Sequence, residues 1–155
     1  MEGTVVAVCM SERKGTQKLP LDGTASLVRG HGFDGDAHAG NWHRQVSLLA
    51  DEDIQKMRDL GLALGHGAFG ENVVTRGLNL LELQIGRRFR IGSQSVLQVT
   101  QHGKKCHTRC EIYKQAGDCI MPRQGIFARV VRGGPVIAGD DIRTDPELDA
   151  IRYAV

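Results

Sequence analysis

Aromatic side chains make up only 5% of this 155-residue chain, which has a single tryptophan. No stretch approaches the roughly 18 consecutive apolar residues of a membrane-crossing helix, so a helical membrane protein is excluded. An excess of one charge is missing too: 20 lysines and arginines stand against 18 acidic residues, a formal net charge of +2. Disorder is excluded by the 41% hydrophobic content beside 25% charged residues. Met1-Glu2-Gly3-Thr4 lacks the basic and apolar regions of a secretory signal, so the expectation is a cytoplasmic protein whose four cysteines are reduced thiols. What the chain has in surplus is glycine, 20 residues, roughly twice the usual share, which implies many tight turns. The length fits one domain over residues 1–155, able to bury roughly 68–70% of its unfolded surface.

The small net charge is a sum of unlike parts. Residues 1–100 carry 11 basic and 11 acidic groups, residues 101–139 carry 7 basic against 2 acidic, and residues 140–155 carry 2 against 5. A local surplus of this size is too small for a nucleic-acid footprint but suits a small anionic ligand. No nucleic-acid partner and no membrane partner are therefore expected.

Periodicity predicts a β-rich domain. Thr4–Cys9, Thr24–Val28, Gln45–Ala50, Gly70–Thr75, Arg87–Ile91, Gln94–Gln101, Ile126–Val131 and Val136–Ala138 read as strands, the Arg87 and Gln94 runs forming a hairpin across Gly92-Ser93. Asp51 reads as the N-cap of a helix in which Ile54, Met57 and Leu60 share a face before Gly61. Arg29–Gly40, punctuated by glycines, reads as an irregular loop, and Asp145–Val155 as a terminal helix. Such a pattern is mainly β, either a closed barrel or a β-rich α+β domain, with one or two short helices.

Reactive side chains are densest in Thr100-Gln101-His102-Gly103-Lys104-Lys105-Cys106-His107-Thr108-Arg109-Cys110. Neighbouring positive charge favours thiolate over thiol, and a thiolate attacks disulfides, carries a persulfide sulfur or binds a soft metal. Cys106, between Lys105 and His107, is expected to be reactive, whereas Cys9 inside an apolar strand is expected to be buried and inert. A helix over Cys106–Ala116 would put Cys106 and Cys110 on one face with Cys119 beyond. Zinc held by Cys106, Cys110, Cys119 and either His102 or His107 competes, although Cys119 lacks the close second cysteine of usual structural sites. A second constellation, Asp36 to Arg44, carries His38 and His43; its imidazoles suit metal ligation, proton transfer or hydrogen bonds within the loop. A third, Gly70-Glu71-Asn72, suits ligand binding or turn capping.

Five ordered motifs together resemble the MOSC domain, named for the C-terminal domain of molybdenum cofactor sulfurases. They are Gly35-Asp36-Ala37-His38-Ala39-Gly40; Arg44-Gln45-Val46-Ser47-Leu48-Leu49; Gly70-Glu71-Asn72; Thr100-Gln101 with Cys106-His107; and Gly117 to Val130, which includes Met121-Pro122-Arg123. The similarity spans nearly the whole chain and is greatest to small stand-alone bacterial members. It implies a β-barrel-rich fold and a role in handling sulfur or molybdenum cofactor (molybdopterin). Cys106 would carry sulfur as a persulfide or present its thiolate to the cofactor metal. His38 and His107 would join it in catalysis, and Asp36, His43, Arg44, Glu71, Asn72, Gln101, Lys104, Lys105 and Arg123 would contact the cofactor. Partners implied are molybdenum cofactor or a related anionic pterin, with a cysteine desulfurase or a molybdoenzyme. Full-length sulfurases add a pyridoxal-phosphate domain for which this chain has no room, so no such cofactor is expected. Family members that hold the cofactor tightly tend to show Arg-x-x-Pro-Cys, where this chain reads Gly103-Lys104-Lys105-Cys106. Two alternatives compete with sulfur handling: a non-catalytic module binding an anionic pterin or other metabolite, and a zinc-stabilised interaction domain.

Overall fold

The computed structural model describes residues 1–103 and 124–150. Among the described residues the strands run in the order β1 (Glu2–Met10), β2 (Leu19–Pro20), β3 (Ala25–Val28), β4 (Gly32–Phe33), β5 (Val46–Ala50), β6 (Val73–Arg76), β7 (Arg88–Ile91), β8 (Ser95–His102), β9 (Ile126–Arg132), β10 (Gly134–Val136) and β11 (Asp141–Thr144). Helix α1 (Asp51–Arg58) lies between β5 and β6, and α2 (Pro146–Ala150) follows β11. The main sheet has the order β11-β7-β8-β9-β5-β6-β1 and closes through a β1–β11 pairing into a seven-stranded barrel. β2 extends from β1, and β10-β3-β4 forms a second, three-stranded sheet. Closure removes the exposed edges that strands of this length would otherwise present. Among the described residues no helix is long and apolar enough to cross a membrane.

β5 explains why one strand shows no alternation. All five of its residues are buried because both faces are covered. Leu48 points into the barrel core with Val5, Phe33, Phe89, Leu97, Ile126 and Ile142. Leu49 points outward into a second cluster with Cys9, Ile54, Met57, Phe69, Val74 and Phe127. α1 supplies Ile54 and Met57 to that outer cluster and carries the chain from β5 to its parallel neighbour β6, the crossover that a parallel pair requires.

Three local expectations are corrected. Ala50 is the N-cap of α1, and Asp51, the first helical residue, instead accepts bonds from Arg58, His66 and Arg76. Burial raises the Asp51 carboxyl, but the bonds from Arg76 and His66 and the neighbouring charges win, leaving it below its ordinary value. Leu60 falls past the last helical turn and is 65% exposed. The strand expected at Val136–Ala138 begins earlier, at Gly134: a Cβ on Gly133 would lie 2.5 Å from the Leu27 carbonyl oxygen, so the glycine admits the close approach that starts the β10–β3 pairing. β11, unforeseen because Ile142 is its one apolar residue, closes the barrel by placing that side chain in the core. Of the C-terminal helix, Pro146–Ala150 is formed and buries Leu148; residues 151–155 lie outside the described set.

Candidate functional site

The most unusual feature of the described residues is a buried lysine. Lys18 Nζ lies 2.6 Å from Asp36 Oδ1, with the two side chains 1% and 0% exposed. A lysine ammonium has three N–H donors and no acceptor, and here each finds a partner: Asp36 Oδ1, His38 Nδ1 at 3.0 Å and Ser11 Oγ at 3.4 Å. Because Lys18 can only donate, Nδ1 of His38 must accept, and the proton of the neutral ring sits on Nε2. Both Asp36 oxygens are engaged in turn: Oδ1 also accepts the Ser11 N–H and Oδ2 the His38 N–H. Two loops, the one joining β1 to β2 with Ser11 and Lys18 and the one after β4 with Asp36 and His38, thereby share one ion pair.

A second buried group adjoins the first through Gly67. Its N–H donates to Glu71 Oε2, its carbonyl accepts the Lys18 N–H, and at φ +91° a Cβ there would sit 2.1 Å from the Lys18 carbonyl oxygen. Only glycine lets these two backbone segments touch. Glu71, 0% exposed, also accepts the Phe69 N–H, so its carboxylate closes the turn that enters β6. Burial pushes the Glu71 carboxyl above its ordinary value, and the backbone donors of Gly67, Glu71 and Phe69 offset only part of that. Asn72 knits three strands: Oδ1 accepts from the Ser47 N–H and hydroxyl, while Nδ2 donates to the Cys9 carbonyl. The Cys9 thiol lies beneath, pushed up to about 12 by burial and secondarily by the Glu71 charge.

A third set is more open and more cationic. Gln101, near the end of β8, accepts at Oε1 from Arg44 Nε at 3.1 Å and contacts His43 Nε2 at 2.9 Å. The Arg44 guanidinium lies 5.2 Å over the ring of Phe127, and the His43 carbonyl accepts the Thr100 hydroxyl. Trp42 donates its indole N–H to the His38 carbonyl, tying this set to the ion pair. Gln101 Nε2 donates to the Gly103 carbonyl, and the Gly103 N–H donates to Gly125.

Of the residues singled out in the sequence, Asp36 and His38 are therefore joined by Lys18; Glu71 and Asn72 are turned into the protein; and His43, Arg44 and Gln101 form one cluster. Cys106, His107, Lys104, Lys105 and Arg123 lie outside the described residues, as do Cys110 and Cys119. Among the described residues no group of three or more His, Cys, Asp or Glu is placed to hold a metal ion, and His102 contacts the Leu83 carbonyl. Sequence reasoning missed Lys18, Ser11, Ser47 and Gly67. Nothing in Thr16-Gln17-Lys18-Leu19-Pro20 distinguishes Lys18 from a solvated loop lysine, because its partners come from residues far along the chain.

Removing one member of a buried ion pair leaves an uncompensated charge, a loss of about 3–5 kcal/mol. Lys18→Met and Asp36→Asn should each destabilise by that order in urea unfolding, and the double variant by clearly less than the sum, with a coupling of about 2 kcal/mol. Strict additivity would mean that the two groups do not stabilise one another. Glu71 yields a pH prediction. A carboxyl whose pKa is raised by folding contributes stability fully below its unfolded value, 4.5, and loses it as the pH climbs through the folded value. Glu71→Gln cannot ionise, so the parent should lose stability relative to this variant as pH rises above about 4.5. A constant difference across stepped-pH unfolding curves would contradict it.

Comparison with known proteins now places the chain. Solved structures that share the fold include the YuaD protein of Bacillus subtilis (TM-score 0.75, 21% identity, covering 92% of this chain and 94% of that one), YiiM of Escherichia coli (0.67, 22%, 94% and 70%) and YiiM of Geobacillus stearothermophilus (0.67, 16%, 92% and 75%). No curated protein matches the sequence significantly. The family model of the MOSC domain matches residues 34–143, from the loop of Asp36 through the closing strand of the barrel, and the chain belongs to the MOSC domain family.

Proposed function

We propose that this protein carries sulfur on Cys106 and delivers it within molybdenum cofactor maturation or use. The observation that carries the reading is the cationic edge around Gln101. Arg44 and His43 gather on one amide oxygen, Phe127 backs the guanidinium, and the Gly103 N–H bonds to the Gly125 carbonyl at that same edge. Cys106 is three residues beyond Gly103, a reach of at most about 11 Å. The edge thus suits an anionic sulfur donor or an anionic pterin arriving beside the thiol.

The donor set fits an anionic pterin. Arg44 is held by the neutral Gln101 and an aromatic ring, so its charge remains available to a phosphate or an oxyanion, whereas Lys18 is matched by Asp36. Arg44, His43 and Gln101 would hold the cofactor, joined by Arg123, Lys104 and Lys105. Asp36, Glu71 and Asn72 would fix the loops beneath it. When bound, the cofactor supplies a metal centre able to accept sulfur or a thiolate, and Cys106 would be the residue presented to it.

Sulfur loading needs no external oxidant. The Cys106 thiolate attacks the terminal sulfur of a donor persulfide, R–S–SH; the new bond is Cys106 S–S, the donor S–S bond breaks, and the donor leaves as a thiolate. Lys104, Lys105 and Arg109 would lower the energy of the attacking thiolate. His107, as a neighbour, and His38, held with its proton on Nε2, would move protons at the sulfur and at the ligand.

Alkylation at neutral pH with peptide mapping should label Cys106 first and Cys9 only after unfolding, since burial pushes the Cys9 thiol to about 12. Cys106→Ser should abolish persulfide loading from a cysteine desulfurase, read by intact mass, while leaving binding of a metal-free anionic pterin within about 0.5 kcal/mol of the parent's. Loading of the serine variant at the parent's level would leave the binding-module reading in its place. Zinc in stoichiometric amount, with a large fall in thermal midpoint on chelation, would favour the zinc-stabilised domain.

A further inference from the structure

A groove of about 620 Å³ opens on the outer wall of β8 and β9, beyond the Trp42–His43 turn from the ion pair. That size falls within the range of small-molecule sites. Arg29, Arg88 and Arg129 line it together with His43, and among the described residues no aspartate or glutamate does. Arg129 is pre-oriented: its Nε and Nη2 both donate to Gln98 Oε1, at 3.0 and 2.8 Å. A neutral amide aims the guanidinium without cancelling its charge. Arg88 Nη1 donates to the Leu148 carbonyl at 3.2 Å, which fixes a second guanidinium on the same wall. Arg29 stands at a turn anchored to β9 by the bond from the Gly30 N–H to the Val130 carbonyl.

The margin is of opposite character. Trp42 is 42% exposed and Ile85 64% exposed, both at the groove. The Trp42 indole is locked by its bond to the His38 carbonyl and by the edge-on His43 ring, whose centroid is 6.0 Å away. A fixed, half-exposed indole offers a stacking face at little entropic cost, and aligned guanidiniums offer paired donors to phosphate oxygens. We propose that this groove binds a planar heteroaromatic phosphate of nucleoside-monophosphate size, with its ring against Trp42 and Ile85 and its phosphate on Arg88 and Arg129. The groove borders the Gln101 cluster through His43, but its phosphate contacts are other residues and it requires no thiol.

Trp42 is the single tryptophan of the chain, so intrinsic fluorescence reports on the groove directly. Titration of the full chain with AMP should quench it saturably. Adenosine and inorganic phosphate, each lacking half of the ligand, should bind at least about 10-fold more weakly. Arg129→Gln and Arg88→Gln should each weaken AMP by about 10–100-fold, the worth of a hydrogen bond to a charged group. Cys106→Ser should bind AMP as the parent does, so this result is independent of sulfur loading. The proposal is overturned if AMP gives neither saturable quenching nor calorimetric heat. It is equally overturned if Arg129→Gln, with a parental unfolding curve, binds AMP as tightly as the parent, or if inorganic phosphate matches AMP.

Discussion

The buried contact between Lys18 and Asp36 governs the geometry around it. An ammonium taken out of water is tolerable only when every donor is used and a counter-charge is at hand, and here Ser11 of its own loop is joined by Asp36 and His38 of the loop after β4. Both loops are fixed in place by that demand. From Lys18 the constraint passes through Gly67 to Glu71, and from the neighbouring Asn72 to Ser47 and Cys9. From His38 it passes through Trp42 toward His43 and Gln101. Strand ends that need not converge are thereby held at one end of the barrel.

This arrangement divides the polar residues by what their charges face. Asp36 spends its hydrogen-bonding capacity on Lys18 and backbone, Glu71 on backbone, and Asn72 on Ser47 and the Cys9 carbonyl, so what they set is the shape of the loops. Arg44 and His43 meet a neutral amide and an aromatic ring, which leaves net positive charge at the edge from which the Cys106 segment departs. A thiol chemistry that handles anions gains from such an edge and would lose from a carboxylate there. Cys9 lies in the opposite environment, where deep burial favours the protonated thiol.

Strands with local signals were legible in the sequence. β1, β5, β7, β8 and β9 carry β-branched or alternating runs and lie close to where the pattern puts them, because burial on a pleated surface leaves its period in the chain. β11 and β2 were not, since polar or two-residue strands owe their existence to a neighbour's edge. In the site, Asp36, His38, Arg44 and Gln101 stood out by residue type and family motif. Lys18 did not, for a buried lysine differs from a solvated one only in partners supplied by distant chain. Glu71 showed the same ambiguity in another form: Gly70-Glu71-Asn72 suited a ligand or a turn, and only the backbone donors at Gly67 and Phe69 reveal that the carboxylate closes the turn.

The claim that the Lys18–Asp36 pair orients the site is tested most directly by the protonation state of one ring nitrogen. Nitrogen-15 NMR of the histidine side chains should show His38 as the Nε2–H tautomer with Nδ1 unprotonated and hydrogen-bonded at neutral pH. Lys18→Met should abolish that preference. A His38 proton found on Nδ1 in the parent protein, where the ammonium must donate, would contradict the account.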